Sequence, residues 1–445
     1  MRRMDGTLAA ADLELLRKDF TANPAYRLAQ NAVTRVSVDD VAISREIVNN
    51  IDHSASTHLD DWKVTNQERS GRCWLFAGLN LLRVGVMRKT GLKEFEFSQN
   101  HAMFWDKIER ANYFLEAIIE TADRDVDDRT VAYVLESAAN DGGQWNMFAA
   151  IVAKHGLVPK GYMPETQSSS NTARMNSVLR YLLRQGAKSV RAAAADGAEA
   201  ARTEKAEILR TVYRVLCIHL GTPPERFDWQ WTDKDKEFHR DGVLTPQEFV
   251  AKYVELPIDD YVCLVHDPRP SSPAGRTFTV DYLGNVLGGP PVIYLNVEMS
   301  VIKDIAAKTL QGGEPVWFGC DVGKMMSNDY GIWDASLYDL PSVYDAVFCL
   351  DKADRLVYHE TQMTHAMLFT GVDVLDGVTR RWRVENSWGS ERGKEGFYTM
   401  NDSWFDQYVF EIAARRSALS ADLQQALDAK PIVLPAWDPM GALAG

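Results

Sequence analysis

The feature that most constrains the fold of this 445-residue chain is a polar loop that runs directly into an apolar helix, with Cys73 at the junction. Residues 66–72 are polar and include a glycine, and residues 73–90 contain no proline before Gly91 offers a helix stop. Apolar side chains surround most of this predicted helix, and a helix that is apolar on nearly all sides is buried. We therefore expect Cys73 at the N-terminus of a buried helix, with its thiol facing the loop.

That position suits a nucleophilic cysteine. The unpaired N–H groups and the positive end of the helix dipole favour a thiolate over a thiol, and the thiolate is the nucleophilic form. The alternative is a packed structural cysteine, the more common fate of an unpaired cysteine. The polar loop and the partner residues described below favour the nucleophile. The other four cysteines lie in apolar stretches and are predicted to be core residues: Cys217, Cys263, Cys320 and Cys349.

The chain divides into a helical first half and a β-rich second half, an order that predicts an α+β fold. Its length exceeds what a single small core accommodates. For residues 1–60 we predict one amphipathic helix, over residues 9–20, followed by irregular chain. The strands predicted in the second half are 292–295, 316–320, 367–374, 382–385, 396–400 and 409–412.

Four segments are predicted along the chain. Residues 1–161 form an N-terminal segment and a helical half that carries Cys73. Residues 162–253, which are rich in Ala, Arg and Glu between 173 and 220, form an inserted helical subdomain. Residues 254–432 form the β-rich half. Residues 433–445 form a C-terminal arm of mainly small and apolar residues, which we expect to be extended.

Charge and cysteine usage restrict the class of protein. The formal net charge is −13, from 49 basic and 62 acidic residues, which argues against generic binding to nucleic acid or acidic membranes. No run of 18 apolar residues occurs, and the first residues lack the apolar segment of a signal peptide. The five cysteines include no CxxC pair, which argues against a disulfide framework or a zinc ribbon. We predict a cytoplasmic protein with reduced thiols, no membrane contact and no cofactor.

A predicted hairpin brings a histidine and an asparagine together. His365 enters a strand that ends at Asp376-Gly377, a two-residue turn signal, and the return strand leads to Asn386. In a regular register around this turn, residue 367 lies opposite Asn386, and His365 shares its face at a diagonal distance of about 7–8 Å. A bulge would change this parity. The pairing predicts His365 as the general base for Cys73 and Asn386 as the residue that orients the imidazole.

Gln67 precedes Cys73 in the polar loop. Its side-chain NH2 group and the backbone N–H of Cys73 are predicted to form an oxyanion hole. The alternative for such a residue is a hydrogen-bonded loop group. The segment His359-Glu360-Thr361-Gln362-Met363 is similar to the zinc motif HExxH, but a methionine stands in the second histidine position, so we predict no metal site.

The motifs around these residues resemble those of papain-like cysteine peptidases. They are Gln67, Ser70-Gly71-Arg72-Cys73-Trp74, Thr364-His365-Ala366 and Glu385-Asn386-Ser387-Trp388-Gly389. Secreted members carry a cysteine where this chain has Ser70, and they space the catalytic Cys and His more closely. Both differences are typical of the cytosolic branch, bleomycin hydrolase and bacterial aminopeptidase C. The chain resembles that branch further at residues 104–107, 141–145, 163–166, 318–324 and 437–442.

This resemblance implies a papain-like fold with a helical half, an antiparallel β-barrel half and an inserted helical hook subdomain. It implies a cytoplasmic cysteine aminopeptidase that acts on peptides, and on bleomycin-like amides, through a Cys-His-Asn triad and an acyl-enzyme intermediate. It further implies a homohexamer with internal active sites. In this family a matching glycine pair lines the cleft, so Gly142 and Gly143 are predicted to bind the substrate backbone, and the C-terminal arm is predicted to lie in the cleft.

The arm is the predicted source of exopeptidase specificity. An aminopeptidase must block one side of an open cleft, and the uncharged residues 440–445 suit a narrow groove. We expect Ala444 and Gly445 beside the substrate, with a terminal carboxylate that attracts its ammonium group. Removal of Gly445 by the enzyme itself would make Ala444 the last residue. The alternative is a disordered terminus.

A second class of function stays open at this point. Basic residues recur at roughly helical spacing in the predicted insert: Arg174, Arg180, Arg184, Lys188 and Arg191. They favour a solvated helix face, and the alternative is a nucleic-acid-binding or drug-tolerance protein whose peptidase activity is incidental.

Overall fold

Residues 6–59 contain four helices and one short strand. The computed structural model describes residues 6–59 and 62–445. The first elements are α1 (Ala10–Ala22), α2 (Pro24–Val33), α3 (Val38–Ala42), α4 (Arg45–Asn50) and β1 (Thr57–His58). The prediction of a single helix here was wrong, because the later helices have caps of their own. Asn23, Ser37 and Ser44 accept backbone N–H groups at the starts of α2, α3 and α4.

The helical half surrounds a buried central helix. Its elements are α5 (Cys73–Thr90), α6 (Gln99–Glu120), α7 (Arg129–Glu136) and α8 (Trp145–His155). α5 ends at Gly91, whose φ of 66° is the left-handed conformation of a glycine stop. α5 and α8 approach so closely that a Cβ on Gly78 would lie 2.7 Å from the Phe148 ring.

The segment between the two halves contains a β-hairpin as well as helices. Its elements are α9 (Gln167–Ser170), α10 (Ala173–Ala194), α11 (Ala198–Leu220), β2 (Phe227–Thr232), β3 (Phe238–Leu244) and α12 (Pro246–Tyr253). α10 and α11 pack against each other and against α6. The sequence analysis did not predict the hairpin β2–β3. The segment boundaries at residues 162 and 253 stay a prediction.

The β-rich half supplies eleven strands of a 12-stranded sheet, whose twelfth strand is β1, and helices lie around it. Its strands are β4 (Tyr261–Val265), β5 (Arg276–Val280), β6 (Tyr294–Asn296), β7 (Val316–Cys320), β8 (Met326–Ser327), β9 (Ile332–Trp333), β10 (His365–Leu375), β11 (Val378–Glu385), β12 (Phe397–Asn401), β13 (Val409–Arg415) and β14 (Ile432–Leu434). Its helices are α13 (Met299–Gln311), α14 (Leu340–Tyr344), α15 (Lys352–Val357), α16 (Asp402–Tyr408) and α17 (Ala421–Leu427). The strand order is β14-β5-β6-β4-β13-β7-β10-β11-β12-β9-β8, with β1 beside β10. Each predicted strand overlaps an observed one, and the α+β fold is confirmed.

Both faces of this sheet are buried, and the helical half covers one of them. Trp317 belongs to the same apolar core as Trp74 and Trp145. The next residue on β7, Phe318, faces the opposite core, where it stacks on Phe369. This alternation is the ordinary period of a strand, so the sheet holds the two cores on its two sides.

The cysteines divide between core and surface. Cys263 and Cys320 are buried, as predicted, and Cys217 is half-buried. The prediction was wrong for Cys349, which is exposed because its apolar neighbours at 347, 348 and 350 lie in a surface loop between α14 and α15. Within residues 6–59 and 62–445, no helix combines the length and apolar character needed to cross a membrane.

Candidate active site

Cys73 is the first residue of α5, and its side chain is fully buried. Arg72, the residue before it, has a non-helical backbone, so the loop turns into the helix at the cysteine. Cys73 Sγ accepts a hydrogen bond from Ala366 N at 3.4 Å. Because Ala366 follows His365 on β10, the sulfur from the helical half faces the strand that carries the histidine.

Burial dominates the ionisation of Cys73 and His365. Burial raises the pKa of Cys73 to about 12, although hydrogen bonds from backbone N–H groups oppose the rise. Burial also lowers the pKa of His365 to about 4, against the hydrogen bond to Asn386. Both shifts favour the uncharged forms of the two groups, and they oppose the effect expected of the helix start, which favours a thiolate. A helix dipole contributes at most about 2 kcal/mol, whereas the rise from 9 to about 12 corresponds to about 4 kcal/mol.

His365 and Asn386 meet across the hairpin of β10 and β11. His365 Nε2 lies 2.9 Å from Asn386 Oδ1. The turn residues Asp376 and Gly377 have φ values of 51° and 80°, and a two-residue turn of this type requires positive φ at both positions. The turn is therefore the one that the sequence predicted.

Two irregularities in this hairpin cancel each other. The pairing slips by one residue next to Val374 and slips back next to Phe369. Leu368 therefore lies opposite Glu385, the same pairing that a regular hairpin would give. The parity that places His365 and Asn386 on one face survives because the number of bulges is even and their directions are opposite.

Neighbouring hydrogen bonds fix the tautomer of the histidine. Asn386 Oδ1 also accepts from Ser387 N at 2.7 Å, so the amide oxygen faces the imidazole. His365 Nε2 must then carry the proton that it donates, which leaves Nδ1 as a proton acceptor. The ring of Trp388 packs against the imidazole with 4.9 Å between ring centroids.

Gln67 is held between the loop and the return strand. Its Oε1 accepts from Ser387 Oγ at 2.7 Å, and its Nε2 donates to Ser70 O at 2.5 Å. Its backbone N donates to Ser387 O at 2.8 Å. These bonds orient the amide and use one of its two Nε2 protons. The sequence analysis quoted Ser387 within a motif but gave it no role.

The loop before Cys73 is fixed by a buried ion pair. Arg72 Nη1 and Nη2 donate to the Glu165 carboxylate at 3.0 and 2.8 Å, and Arg72 Nε donates to Ser70 Oγ at 2.8 Å. Ser169 Oγ donates to the same carboxylate at 2.6 Å. The Arg72 side chain is only 1% exposed. Because Glu165 and Ser169 lie in the segment predicted as the insert, that segment helps to shape the nucleophile loop.

Asp141 connects this loop to the glycine pair that follows it. Its carboxylate accepts from Lys107 Nζ at 2.5 Å, Asn176 Nδ2 at 2.8 Å and Gly71 N at 3.2 Å. Trp74 Nε1 donates to its backbone oxygen at 2.7 Å. Burial raises the pKa of Asp141, but Lys107 and the hydrogen bonds outweigh burial and leave that pKa well below its usual value. The ionised Asp141 thus connects α6, α10 and the loop before Cys73.

A second buried network joins α5 to the return strand. The Glu385 carboxylate accepts from Trp62 Nε1 at 2.6 Å, Asn80 Nδ2 at 2.9 Å and Arg83 Nη2 at 2.8 Å. Asn80 and Arg83 belong to the helix of Cys73, and Glu385 immediately precedes Asn386. No local sequence pattern predicts such bonds, because their partners are far apart in the chain.

The C-terminal arm lies in the cleft along the glycine pair. Gly143 N donates to Ala444 O at 2.9 Å, and Ala444 N donates to Gly143 O at 3.2 Å, as in an antiparallel strand pair. A Cβ on Gly142 would lie 2.8 Å from Ala444 O, so glycine is required for this approach. The structure therefore brings together the glycines and the arm residues that the sequence analysis selected.

Gly445 reaches the residues that flank Cys73 and His365. Its backbone N donates to Thr364 O at 3.1 Å. A Cβ on Gly71 would lie 3.1 Å from the carbonyl carbon of Gly445, which places the end of the arm against the nucleophile loop. The arm thus occupies the cleft as far as the candidate catalytic residues.

Comparisons with known proteins agree with this geometry. Residues 7–441 match the model of the Peptidase C1-like family. Aminopeptidase C of Listeria innocua is 42% identical over 435 residues, which cover 97% of this chain and 98% of the relative. Human bleomycin hydrolase is 40% identical over 441 residues, which cover 96% of this chain and 97% of the relative.

A solved structure extends the agreement to the fold. The crystal structure of PepW from Lactobacillus rhamnosis matches with a TM-score of 0.96 and 41% identity, and the match covers 99% of this chain and 100% of that one. These findings confirm the predicted resemblance to bleomycin hydrolase and bacterial aminopeptidase C, together with the predicted papain-like fold.

Proposed function

The chain belongs to the Peptidase C1-like family, in agreement with the predicted class of cysteine-type aminopeptidase, and we propose that it removes N-terminal residues from peptides through an acyl-enzyme on Cys73. The observation that carries this proposal is the pairing of Ala444 with Gly143, because it fills one side of the cleft with the protein's own chain. The name of the human relative extends the proposed substrates to bleomycin-like amides.

In the proposed reaction the thiol proton of Cys73 moves to His365 Nδ1, the nitrogen left free by the bond between Nε2 and Asn386. The sulfur then attacks the carbonyl carbon of the scissile bond, and the carbonyl π electrons move to the oxygen. Collapse of this intermediate breaks the C–N bond, and the leaving amine takes the proton from His365. Water, deprotonated by the same imidazole, hydrolyses the thioester and restores the thiol.

Gln67 is the proposed donor to the transient oxyanion. Its Nε2 has a second proton beyond the one that it gives to Ser70 O, and its Oε1 is fixed by Ser387. Such a fixed donor stabilises charge that appears only in the transition state, at no cost in reorganisation. The backbone N–H of Cys73 is the proposed second donor.

The neutral state of Cys73 and His365 belongs to the closed cleft. Burial is the main cause of both pKa shifts, so proton transfer from sulfur to imidazole is favoured when a polar substrate or water enters. We propose that the resting enzyme is held as a neutral pair and that substrate entry permits the ion pair.

The arm is the proposed cause of the free-amine requirement. Since Ala444 takes the backbone hydrogen bonds of Gly143, a peptide with more than one residue before its scissile bond has no room on that side. Gly445 lies next to the nucleophile loop, and we propose that the enzyme removes it and leaves Ala444 as the last residue. Intact mass spectrometry checks this step: wild type should lack Gly445, and the Cys73→Ala variant should retain it.

The test of the whole proposal compares two substrates. A fluorogenic aminoacyl amide should be hydrolysed by wild type and not by Cys73→Ala, while its N-acetylated twin should resist both. Deletion of residues 442–445 should reduce hydrolysis of the free-amine substrate and increase that of the acetylated twin. Equal hydrolysis of both twins by wild type would contradict an aminopeptidase.

The nucleic-acid alternative is weakened by the contacts of α10. Arg184 Nε donates to Leu135 O at 2.9 Å, and Arg191 Nη1 donates to Thr121 O at 2.9 Å. Both guanidinium groups are therefore engaged by backbone carbonyl oxygens of neighbouring segments. The net charge of −13 also disfavours contact with a phosphate backbone. A mobility-shift titration at physiological salt should detect no complex with DNA or RNA.

We also propose a homohexamer in the cytoplasm. Large apolar side chains are exposed on α2 and in the loop after α14, a helix that contacts α2: Leu28, Val347 and Phe348 are 72%, 87% and 62% exposed. All five cysteines are unpaired, as expected in a reducing compartment. Light scattering should give a mass near six chains, and Phe348→Asp should reduce it. An unchanged mass in that variant would exclude this surface from the contact between copies.

A further inference from the structure

A buried ion cluster holds the base of the arm. Arg269 Nη1 and Nη2 donate to the Asp438 carboxylate at 3.1 and 2.8 Å, while Nε and Nη2 donate to Asp267 at 2.9 and 2.8 Å. The side chains of Arg269, Asp438 and Asp267 are 10%, 9% and 3% exposed. From this geometry we propose that Arg269 is a specificity-determining residue, because its grip on Asp438 keeps the arm in the cleft. This inference rests on the proposed aminopeptidase function.

The sheet side of the cluster is rigid. Asp267 N donates to Asn296 Oδ1 at 2.8 Å, and Asn296 Nδ2 donates back to Asp267 O at 3.0 Å and to Ser272 O at 2.6 Å. Asn296 is the last residue of β6, so these bonds tie Asp267 to the sheet. With one edge of the guanidinium bound to Asp267, its other edge is fixed towards the arm.

Asp438 also forms hydrogen bonds within the turn that directs the arm into the cleft. Asp438 Oδ1 accepts from Met440 N at 2.9 Å, and Asp438 O accepts from Gly441 N at 2.8 Å. Asp438 N in turn donates to Pro435 O at 2.8 Å. The carboxylate that Arg269 holds therefore also shapes the tight turn from which residues 442–445 enter the cleft.

The contacts beyond the turn are ones that a substrate can also make. The hydrogen bonds of residues 442–445 are made by backbone groups: Ala442 O accepts from Gln144 Nε2, Ala444 pairs with Gly143, and Gly445 N donates to Thr364 O. An incoming peptide offers the same N–H and C=O groups. The arm outcompetes a peptide for these hydrogen bonds because it is covalently attached beside the cleft. The effective concentration of such an attached segment falls when the residues that anchor it are free to move. Loosening the base should therefore open the blocked side of the cleft.

The experiment uses Asp438→Asn and Arg269→Gln in the full chain. Asp438→Asn keeps an oxygen for Met440 N and leaves Arg269 paired with Asp267, so it spares the fold. Arg269→Gln leaves two buried carboxylates without a cation and is the harsher change. Both should raise the ratio of N-acetylated to free aminoacyl amide hydrolysis about tenfold or more, the scale of one charge-assisted hydrogen bond. The double variant should add little to the single ones, because both remove the same bond.

A second measurement follows the arm without using substrate. Alkylation of Cys73 by iodoacetamide, quantified by peptide mass spectrometry, should be faster in both variants, because Gly445 would leave its position against Gly71 and Thr364, close to Cys73 and His365. The matched control is Arg416→Gln, which breaks the surface pair with Asp428 (2.7 and 2.8 Å) and should change neither quantity.

The outcomes separate this inference from the proposed function. If Asp438→Asn folds, and both its alkylation rate and its substrate ratio equal those of wild type, the proposed role of Arg269 is overturned. If alkylation accelerates but the ratio is unchanged, Arg269 holds the arm without setting specificity, and the inference is equally overturned. If wild type fails to hydrolyse the free aminoacyl amide while alkylation still accelerates in both variants, the failure belongs to the aminopeptidase proposal.

Discussion

The two sides of the cleft are built in different ways. On the nucleophile side, the loop before Cys73 is held by side chains from distant segments, among them Glu165 and Asp141. On the base side, His365 and Asn386 stand on neighbouring antiparallel strands whose backbone ladder sets their positions. The loop before Cys73 lies outside the strands of the sheet and depends on these charged side chains, whereas the positions of His365 and Asn386 are set by the backbone register, which the buried pair of Glu385 and Arg83 supports. Removal of a single charged side chain should therefore disturb the nucleophile loop more than it disturbs the strand pairing.

The largest effect is expected at the base itself. His365→Ala should lower kcat about 10⁴-fold or more, because it removes the base that takes the thiol proton in the proposed reaction. Asn386→Ala should lower kcat by a smaller factor, since it removes orientation and leaves the imidazole. Hydrolysis of the free aminoacyl amide by the two variants, after their thermal unfolding is shown to match wild type, checks the order. The reverse order would mean that Asn386 does more than orient.

On the nucleophile side, Gln67→Ala should lower kcat about 10²- to 10³-fold with little change in KM, because its amide acts on charge present only in the transition state. Ser387→Ala, which frees Gln67 Oε1 but keeps Nε2, should have a smaller effect. Steady-state kinetics of both variants test this. A change confined to KM would make Gln67 a ground-state binding residue.

A matched pair of charge removals contrasts the two sides directly. Glu165→Gln leaves the buried Arg72 without its carboxylate and should cost about 3–5 kcal/mol of unfolding free energy, with a loss of kcat. Glu360→Gln removes a surface pair with Lys324 near the start of β10 (2.7 Å) and should cost about 0–1 kcal/mol. Denaturant unfolding and kcat measured on both variants would decide the comparison. Equal effects would remove the distinction between the two sides.

On the base side, the buried acid Glu411 makes a contribution to stability that depends on pH. Burial raises the pKa of Glu411 on β13 to about 7, from a usual value of 4.5, and a hydrogen bond with Cys263 opposes the rise. Because the folded pKa is the higher one, the contribution is fully present below about pH 4.5 and is lost as pH rises through 7. The total is about 3 kcal/mol. Glu411→Gln should flatten this decline when the free energy of unfolding is measured from pH 4.5 to 8, and parallel curves for the two proteins would exclude Glu411 as its source.

Local patterns in the chain were sufficient for several parts of the candidate site. The start of α5 at Cys73 and its stop at Gly91 follow from hydrophobic pattern and glycine conformation. The turn at Asp376-Gly377 follows from the preference of that pair for positive φ. Both are decided by residues next to one another, which is why sequence reasoning could reach them.

The sequence by itself determined the α+β order, the buried helix that begins at Cys73 and the hairpin that faces His365 towards Asn386, because hydrophobic period and turn chemistry act over a few residues. Tertiary structure alone decided that Arg72 pairs with Glu165, that Arg269 pairs with Asp438, and that burial raises the pKa of the Cys73 thiol. Charged side chains reach partners far along the chain, and desolvation depends on everything packed around a group. The spacing of neighbouring residues therefore predicts neither the partner of a distant charged side chain nor the extent to which a group is desolvated.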